Sequence, residues 1–315
     1  MINFRYHVVS LAAVFLALAI GLVVGTAAAN GPLAENLNDQ VNKITDEKQQ
    51  LRDSLEQSRA ELKKNADFAT EVAPMLLTNK LQNKSVLLIK VDGSDSGDVN
   101  TAAEGVAALL GTAGAKVVGT LTVKEKLTAP SSSAILLDTA ESSAPPSISG
   151  ALPNQADGVD TSAALLAAVL VGKAGTPQVE GTRTVLSAYE SNGFIGLDGD
   201  FKAPAEAVII VAGAPATGKD ANDRKAALLT LTGRFDLAGR VVVAGLSYGG
   251  LVSSVRGDAS VAKSVSTVDN AVTAYGQVAA VMALVERFGG KTGHYGIGDG
   301  ASGLLPKTAS VTSGS

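Results

Sequence analysis

The 315-residue chain has no cysteine and no tryptophan, and only two histidines and three methionines. Without thiols it forms no disulfide, holds no thiolate metal site and offers no cysteine nucleophile. So few imidazoles and thioethers make a multi-ligand soft-metal site hard to assemble. Aromatic residues are 4% of the chain, too sparse for the two aromatic girdles of an outer-membrane β-barrel. Basic charge is short as well. With 26 Lys and Arg against 30 Asp and Glu, the net charge is −4, which argues against nucleic acid as the main partner because phosphate neutralisation needs a basic face. What is abundant is small and aliphatic: 46% hydrophobic residues and 34 glycines, a composition for closely packed cores of Ala, Val and Leu.

One long apolar run opens the chain, from Val8 to Val24, and no charged residue falls between Arg5 and Glu35. About 20 apolar residues span a bilayer core as a helix, so the run is long enough to anchor the protein. Arg5 is the sole basic side chain near that end. The positive-inside rule then places the short N-terminus in the cytoplasm and everything after Thr26 outside it, as a single-pass protein of the cell membrane. The rival reading is a cleavable signal peptide ending at Ala27-Ala28-Ala29. The run exceeds a usual signal core, which favours a retained anchor over residues 1–29.

Residues 30–80 turn polar, with apolar positions at Leu37, Val41, Ile44, Leu51, Leu55 and Leu62. The spacings alternate four and three, with Lys48 and Ser58 in the remaining slots, and the register carries on through Ala69, Val72 and Leu76. That is a heptad repeat, and a polar Lys48 at an a position fits a two-stranded coil. The segment is expected to form a stalk about 45 Å long between Leu33 and Leu62, joining two copies or a helical bundle. The alternative is a single helix packing on its own domain.

Residues 81–300 read as an extracytoplasmic α/β domain. Strands are predicted at Ser85–Val91, Lys116–Val123, Ala207–Ala212, Arg240–Gly245 and Ser264–Val268, and helices at Val99–Thr112, Thr161–Gly172, Thr182–Ser191, Asp220–Phe235 and Ala271–Phe288. Near-continuous apolar strands alternating with helices imply a mostly parallel, Rossmann-like sheet layered between helices. Residues 130–158, rich in Ser, Ala and Pro, read as a flexible surface insertion, and 301–315 as a disordered tail.

Ligands in such sheets usually sit beyond the carboxyl ends of the strands. Gly213-Ala214-Pro215-Ala216-Thr217-Gly218-Lys219 has the GxxxxGK spacing of a phosphate loop, with Gly213, Gly218 and Lys219 as the cofactor-binding candidates. Asp220 then stands where a magnesium-binding hydroxyl belongs, and its charge would repel phosphate; an ordinary helix start is the competing reading. Gly245-Leu246-Ser247-Tyr248-Gly249 has the GxSxG spacing of a nucleophile elbow. Ser247 would need His294 as base, with Asp258 or Asp269 to orient it; otherwise the glycines serve a tight turn. The run Leu251-Val252-Ser253-Ser254-Val255 behind it announces no strong helix. Asp92, Asp95 and Asp98 could hold a hard cation, but their spacing is not that of a calcium loop and suits a helix cap better.

The opening string Met1-Ile2-Asn3-Phe4-Arg5-Tyr6-His7-Val8-Val9-Ser10-Leu11 resembles the start of the actinobacterial copper-transport MctB family. So do the coiled stretch, Gly249-Gly250-Leu251-Val252-Ser253-Ser254-Val255-Arg256, Val265-Ser266-Thr267-Val268-Asp269-Asn270-Ala271 and Gly293-His294-Tyr295-Gly296, which together cover nearly the whole chain. The resemblance implies an envelope protein of copper efflux or tolerance, with copper as transported ion rather than bound cofactor, and allows the outer membrane as its location. No metal-ligand motif carries over with it. Some similar proteins look instead like division-site scaffolds that link a cytoplasmic division protein to a cell-wall (peptidoglycan) hydrolase, which is the alternative function. A serine hydrolase at Ser247 is a third; the chain is otherwise expected to be no enzyme.

Overall fold

The computed structural model describes residues 4–29, 32–93, 95–153 and 157–307. Two compact units are present, residues 1–64 and 65–315. In the first, α1 (Phe4–Ala29) is a continuous apolar helix, long and apolar enough over Phe4–Ala27 to cross a membrane. The helix α2 (Pro32–Leu77) follows. Leu37, Val41, Ile44, Leu51, Leu55 and Leu62 are all at least half exposed on it. The helix expected from the heptads is therefore present, and its apolar stripe is uncovered in the single chain.

The second unit begins with the last turns of α2, where Ala73 and Leu77 are buried. Its elements run β1 (Ser85–Val91), α3 (Ser96–Thr112), β2 (Lys116–Val123), α4 (Glu125–Thr128), α5 (Ser133–Ser143), α6 (Pro146–Ser149), α7 (Gly158–Leu170), α8 (Thr182–Ser191) and β3 (Ile195–Asp198). They continue as β4 (Ala207–Ala212), α9 (Ala221–Ala238), β5 (Arg240–Gly245), α10 (Gly250–Gly257), β6 (Ser266–Val268), α11 (Ala274–Phe288) and β7 (His294–Tyr295). The sheet order is β3-β2-β1-β4-β5-β6-β7. Every pairing is parallel except β2 with β3.

Side chains on a strand alternate between faces, so an unbroken apolar strand feeds two cores at once. Leu87, Ile89, Val208, Ile210, Val241 and Val243 point to one face, against α5, α7, α9 and α10 through Leu136, Leu165, Leu231, Phe235 and Leu251. Val86, Leu88, Ile209, Val211, Val242 and Ala244 point to the other, against α3, α11 and the end of α2 through Val106, Leu110, Val281, Leu284 and Leu77. Each fully buried Leu, Val or Phe contributes about 1.5–3 kcal/mol by leaving water. All five strand predictions hold, although β6 starts at Ser266 rather than Ser264, because Ser264 closes a turn by donating its backbone N–H to Val261.

Three expectations fail for physical reasons. Residues 130–153 are no flexible insertion: they carry α5 and α6, with Leu136 and Ala140 fully buried. Their small residues are packing surface, since the Ser162 hydroxyl donates to the Leu136 carbonyl at 3.2 Å and the Gly158 N–H to the Ser133 hydroxyl at 3.1 Å. The expected insertion also included residues 154–156, which lie outside the described residues. The predicted disordered tail is held as far as it is described: the Ser302 N–H donates to the His294 carbonyl at 2.8 Å and Pro306 is buried; residues 308–315 lie outside the description. Finally, Leu251 to Val255 do form a helix. Leu251, Val252 and Val255 bury one side of α10, and that burial overrides the low helix propensity of the β-branched valines.

Candidate functional site

The chain leaves β1 towards β2 and β3, then returns on the other side of β1 as β4. Parallel sheets open a crevice at such a switch point, at the carboxyl ends of the strands. Here a cleft of about 340 Å³ is lined by Val91, Pro215, Leu228, Gly250 and Leu251. An adjoining space of about 360 Å³ shares Val91, Pro215 and Leu228 and adds Asp92, Glu125 and Arg224. The floor is apolar and the rim carries both signs of charge.

The GxxxxGK loop forms part of this wall, but its chemistry is not that of a phosphate cradle. The Asp95 carboxylate reaches across from the start of α3 and accepts the Ala214 N–H at 2.6 Å. Gly213 leaves the space that this carboxylate occupies, since a Cβ there would collide with it. An anion of the chain itself thus takes the Ala214 amide of the loop. Lys219 lies on the rim of the adjoining space, Gly218 sits in a turn at φ +96°, and Asp220 precedes α9. The Asp95 side chain also makes no capping bond to α3, contrary to the expected cap. The Asp92 carboxylate accepts the N–H of Gly93 at 3.0 Å. Among the described residues no group of three or more His, Asp or Glu is placed to hold a metal ion.

Ser247 and Asp269 follow the carboxyl ends of β5 and β6, whereas His294 opens β7 opposite Thr267, and the three form no relay. Ser247 is exposed, Asp269 fully buried and His294 half-buried. The Asp269 carboxylate is taken by the Arg256 guanidinium at 3.0 Å, by the N–H groups of Ile297 and Gly298 at 2.7 and 3.2 Å, and by the Asn270 amide at 3.0 Å. His294 Nδ1 meets the Thr267 hydroxyl at 2.9 Å, and the ring also bonds the Ala262 backbone. Thr267 itself accepts Arg256 Nε at 2.9 Å, so the Thr267 hydroxyl links the imidazole to the guanidinium. Among the described residues, the ring's hydrogen bonds go to Thr267 and Ala262 rather than to Ser247. Burial, and then the nearby Arg256 charge, hold the His294 pKa below its ordinary value of 6.5.

Arg256, which belongs to neither motif, is the hub of this end of the domain. Besides Asp269 and Thr267 it donates to the Tyr295 carbonyl at 2.8 Å and the Asp299 carbonyl at 3.0 Å, and its guanidinium lies 5.5 Å from the centre of the Tyr248 ring. It ties α10, β6, β7 and the loop after β7 together. The signal available in the sequence was a lone arginine closing the apolar stretch Leu251 to Val255.

The family model described as "Copper transport outer membrane protein, MctB" matches residues 1–306. "Copper transporter MctB" of Mycobacterium tuberculosis (strain ATCC 25618 / H37Rv) is 31% identical over 320 residues, covering 96% of this chain and 98% of the relative. The protein of the same name from Mycobacterium leprae (strain TN) is 28% identical over 321 residues, covering 96% and 99%. The apolar helix, the heptad helix and the α/β domain all fall within the match, and the chain belongs to the MctB family of copper transport proteins.

Proposed function

We propose that the protein acts in copper efflux or tolerance at the cell envelope, held in a membrane by α1 with its α/β domain outside the cytoplasm. The observation that carries this reading is the extent of the family match, from the first residue of the anchor to Pro306, with relatives named as copper transporters. The donor chemistry supports copper as cargo rather than resident cofactor. Met282 is buried in the core, Met75 stands exposed on α2, and His294 Nδ1 is held at the Thr267 hydroxyl. A single helix encloses no path through a bilayer, where only helices and closed barrels can span; any conduit therefore needs several copies of α1 or a partner.

The test is a deletion strain grown over a copper series, with cell-associated copper measured alongside. Sensitivity and copper accumulation, both reversed by the full chain, are the expected result. Normal copper tolerance together with a wall or separation defect overturns the reading in favour of a division-site scaffold, for which the uncovered stripe of α2 is the supporting feature.

A further inference from the structure

We infer that residues Leu37 to Leu62 of α2 pair with the same residues of a second copy of this chain, in parallel and in register. In the heptad frame Val41, Lys48, Leu55 and Leu62 occupy a, and Leu37, Ile44, Leu51 and Ser58 occupy d. Every b, c and f position from Asp39 to Gln57 is polar, so the stripe is a narrow seam of the width that one facing helix covers. Apolar side chains along it are 50 to 72% exposed, and a facing helix would take them out of water.

The flanking charges choose the partner. Glu47 falls at g and Arg52 at the following e. In a parallel, in-register pair, g of one helix faces the next e of the other, so Glu47 meets the second copy's Arg52, and symmetry makes the contact twice. The partner's Glu47 also flanks Lys48 at a, answering the one basic charge in the seam. An antiparallel pair brings e against e, and the register that faces Arg52 with the second copy's Arg59 sets two arginines together twice. Like charges there are repulsive. Copies anchored in one membrane through α1 also enter α2 from the same side; only that supporting point rests on the membrane reading above.

The absence of cysteine makes the test direct. Full-length chain is purified in detergent with one thiol introduced at a time, by Ile44→Cys or Leu51→Cys at d, or Ala60→Cys at f. Mild oxidation is expected to yield a disulfide-linked dimer for both d variants and little for Ala60→Cys. Equal crosslinking at all three positions, or at none, overturns the proposal. In the Leu51→Cys background, Glu47→Arg or Arg52→Glu alone should lower the dimer yield several-fold. Mixing the two charge variants should restore it as a mixed dimer that two different tags report. Mixed and single variants that crosslink alike would remove the parallel register, whatever the copper phenotype.

Discussion

The Arg256 guanidinium and the Asp269 carboxylate meet at 3.0 Å with side-chain exposures of 5% and 0%. Two charges so far from water are tolerated because each is fully partnered: the carboxylate by two backbone N–H groups and Asn270, the guanidinium by Thr267 and two carbonyls. Their work is architectural. They hold the short strands β6 and β7 and the loop behind them in one place.

Removing one member strands the other, a loss of about 3–5 kcal/mol for a buried pair. Arg256→Met is therefore expected to lower the unfolding free energy of the α/β domain by that order, read from the urea midpoint of far-UV circular dichroism. A double change, Arg256→Met with Asp269→Asn, should cost less than the single arginine change, since no uncompensated charge remains. A single variant as stable as wild type would deny the pair its structural role.

His294 gives the protein a pH dependence of defined sign. Its pKa is depressed in the folded state, so the unfolded chain binds the proton more readily. Stability is then intact above about pH 6.5 and falls as pH drops through that value towards the folded pKa. His294→Asn should flatten the slope of the urea midpoint between pH 7.5 and 5.5 relative to wild type. An unchanged slope would mean that the imidazole does not carry it.

Glycine substitutions should split by what surrounds them. At Gly276, in the first turn of α11, a Cβ would overlap the Asn270 backbone carbonyl. Gly276→Ala is expected to destabilise by about 1–3 kcal/mol through overpacking. At Gly233 in α9 nothing lies within 4 Å, and Gly233→Ala should stabilise by about 0.5–1 kcal/mol by restricting the unfolded chain. Thermal unfolding of the two variants side by side tests both signs.

On α2, Leu51→Asp with Leu55→Asp places two carboxylates in the exposed stripe. Desolvating them costs several kcal/mol, so self-association should be lost in analytical ultracentrifugation. The α/β domain, whose core uses other residues, should keep its unfolding transition. An unchanged sedimentation profile would leave the stripe without a role in assembly.

Much of this fold was legible because its strands are extreme. Ala207-Val208-Ile209-Ile210-Val211-Ala212 is buried at every position, and a run of that kind has few alternatives to a central parallel strand. Residues 130–153 were misread for the opposite reason. Ser and Ala that let α5 and α7 approach closely have the composition of a loop, and nothing local distinguishes the two. At the site, both motif spacings were visible, and folding gives the residues of each motif other partners. What decides them is tertiary: the Asp95 carboxylate arrives at Ala214 from 119 residues away, and Arg256 takes the acid that a catalytic histidine would need. No spacing rule contains either fact.

The two rims of the sheet set how this protein meets its neighbours. One rim is β3, four residues long and antiparallel, and the other is β7, only two residues long. Strands so short expose almost no run of open N–H and C=O groups on which a foreign strand could template itself. Lateral growth by β-addition, the usual route to aggregation for a sheet rich in valine and isoleucine, is thereby starved at both margins. Copies of this domain can then crowd without zipping together at their sheet margins.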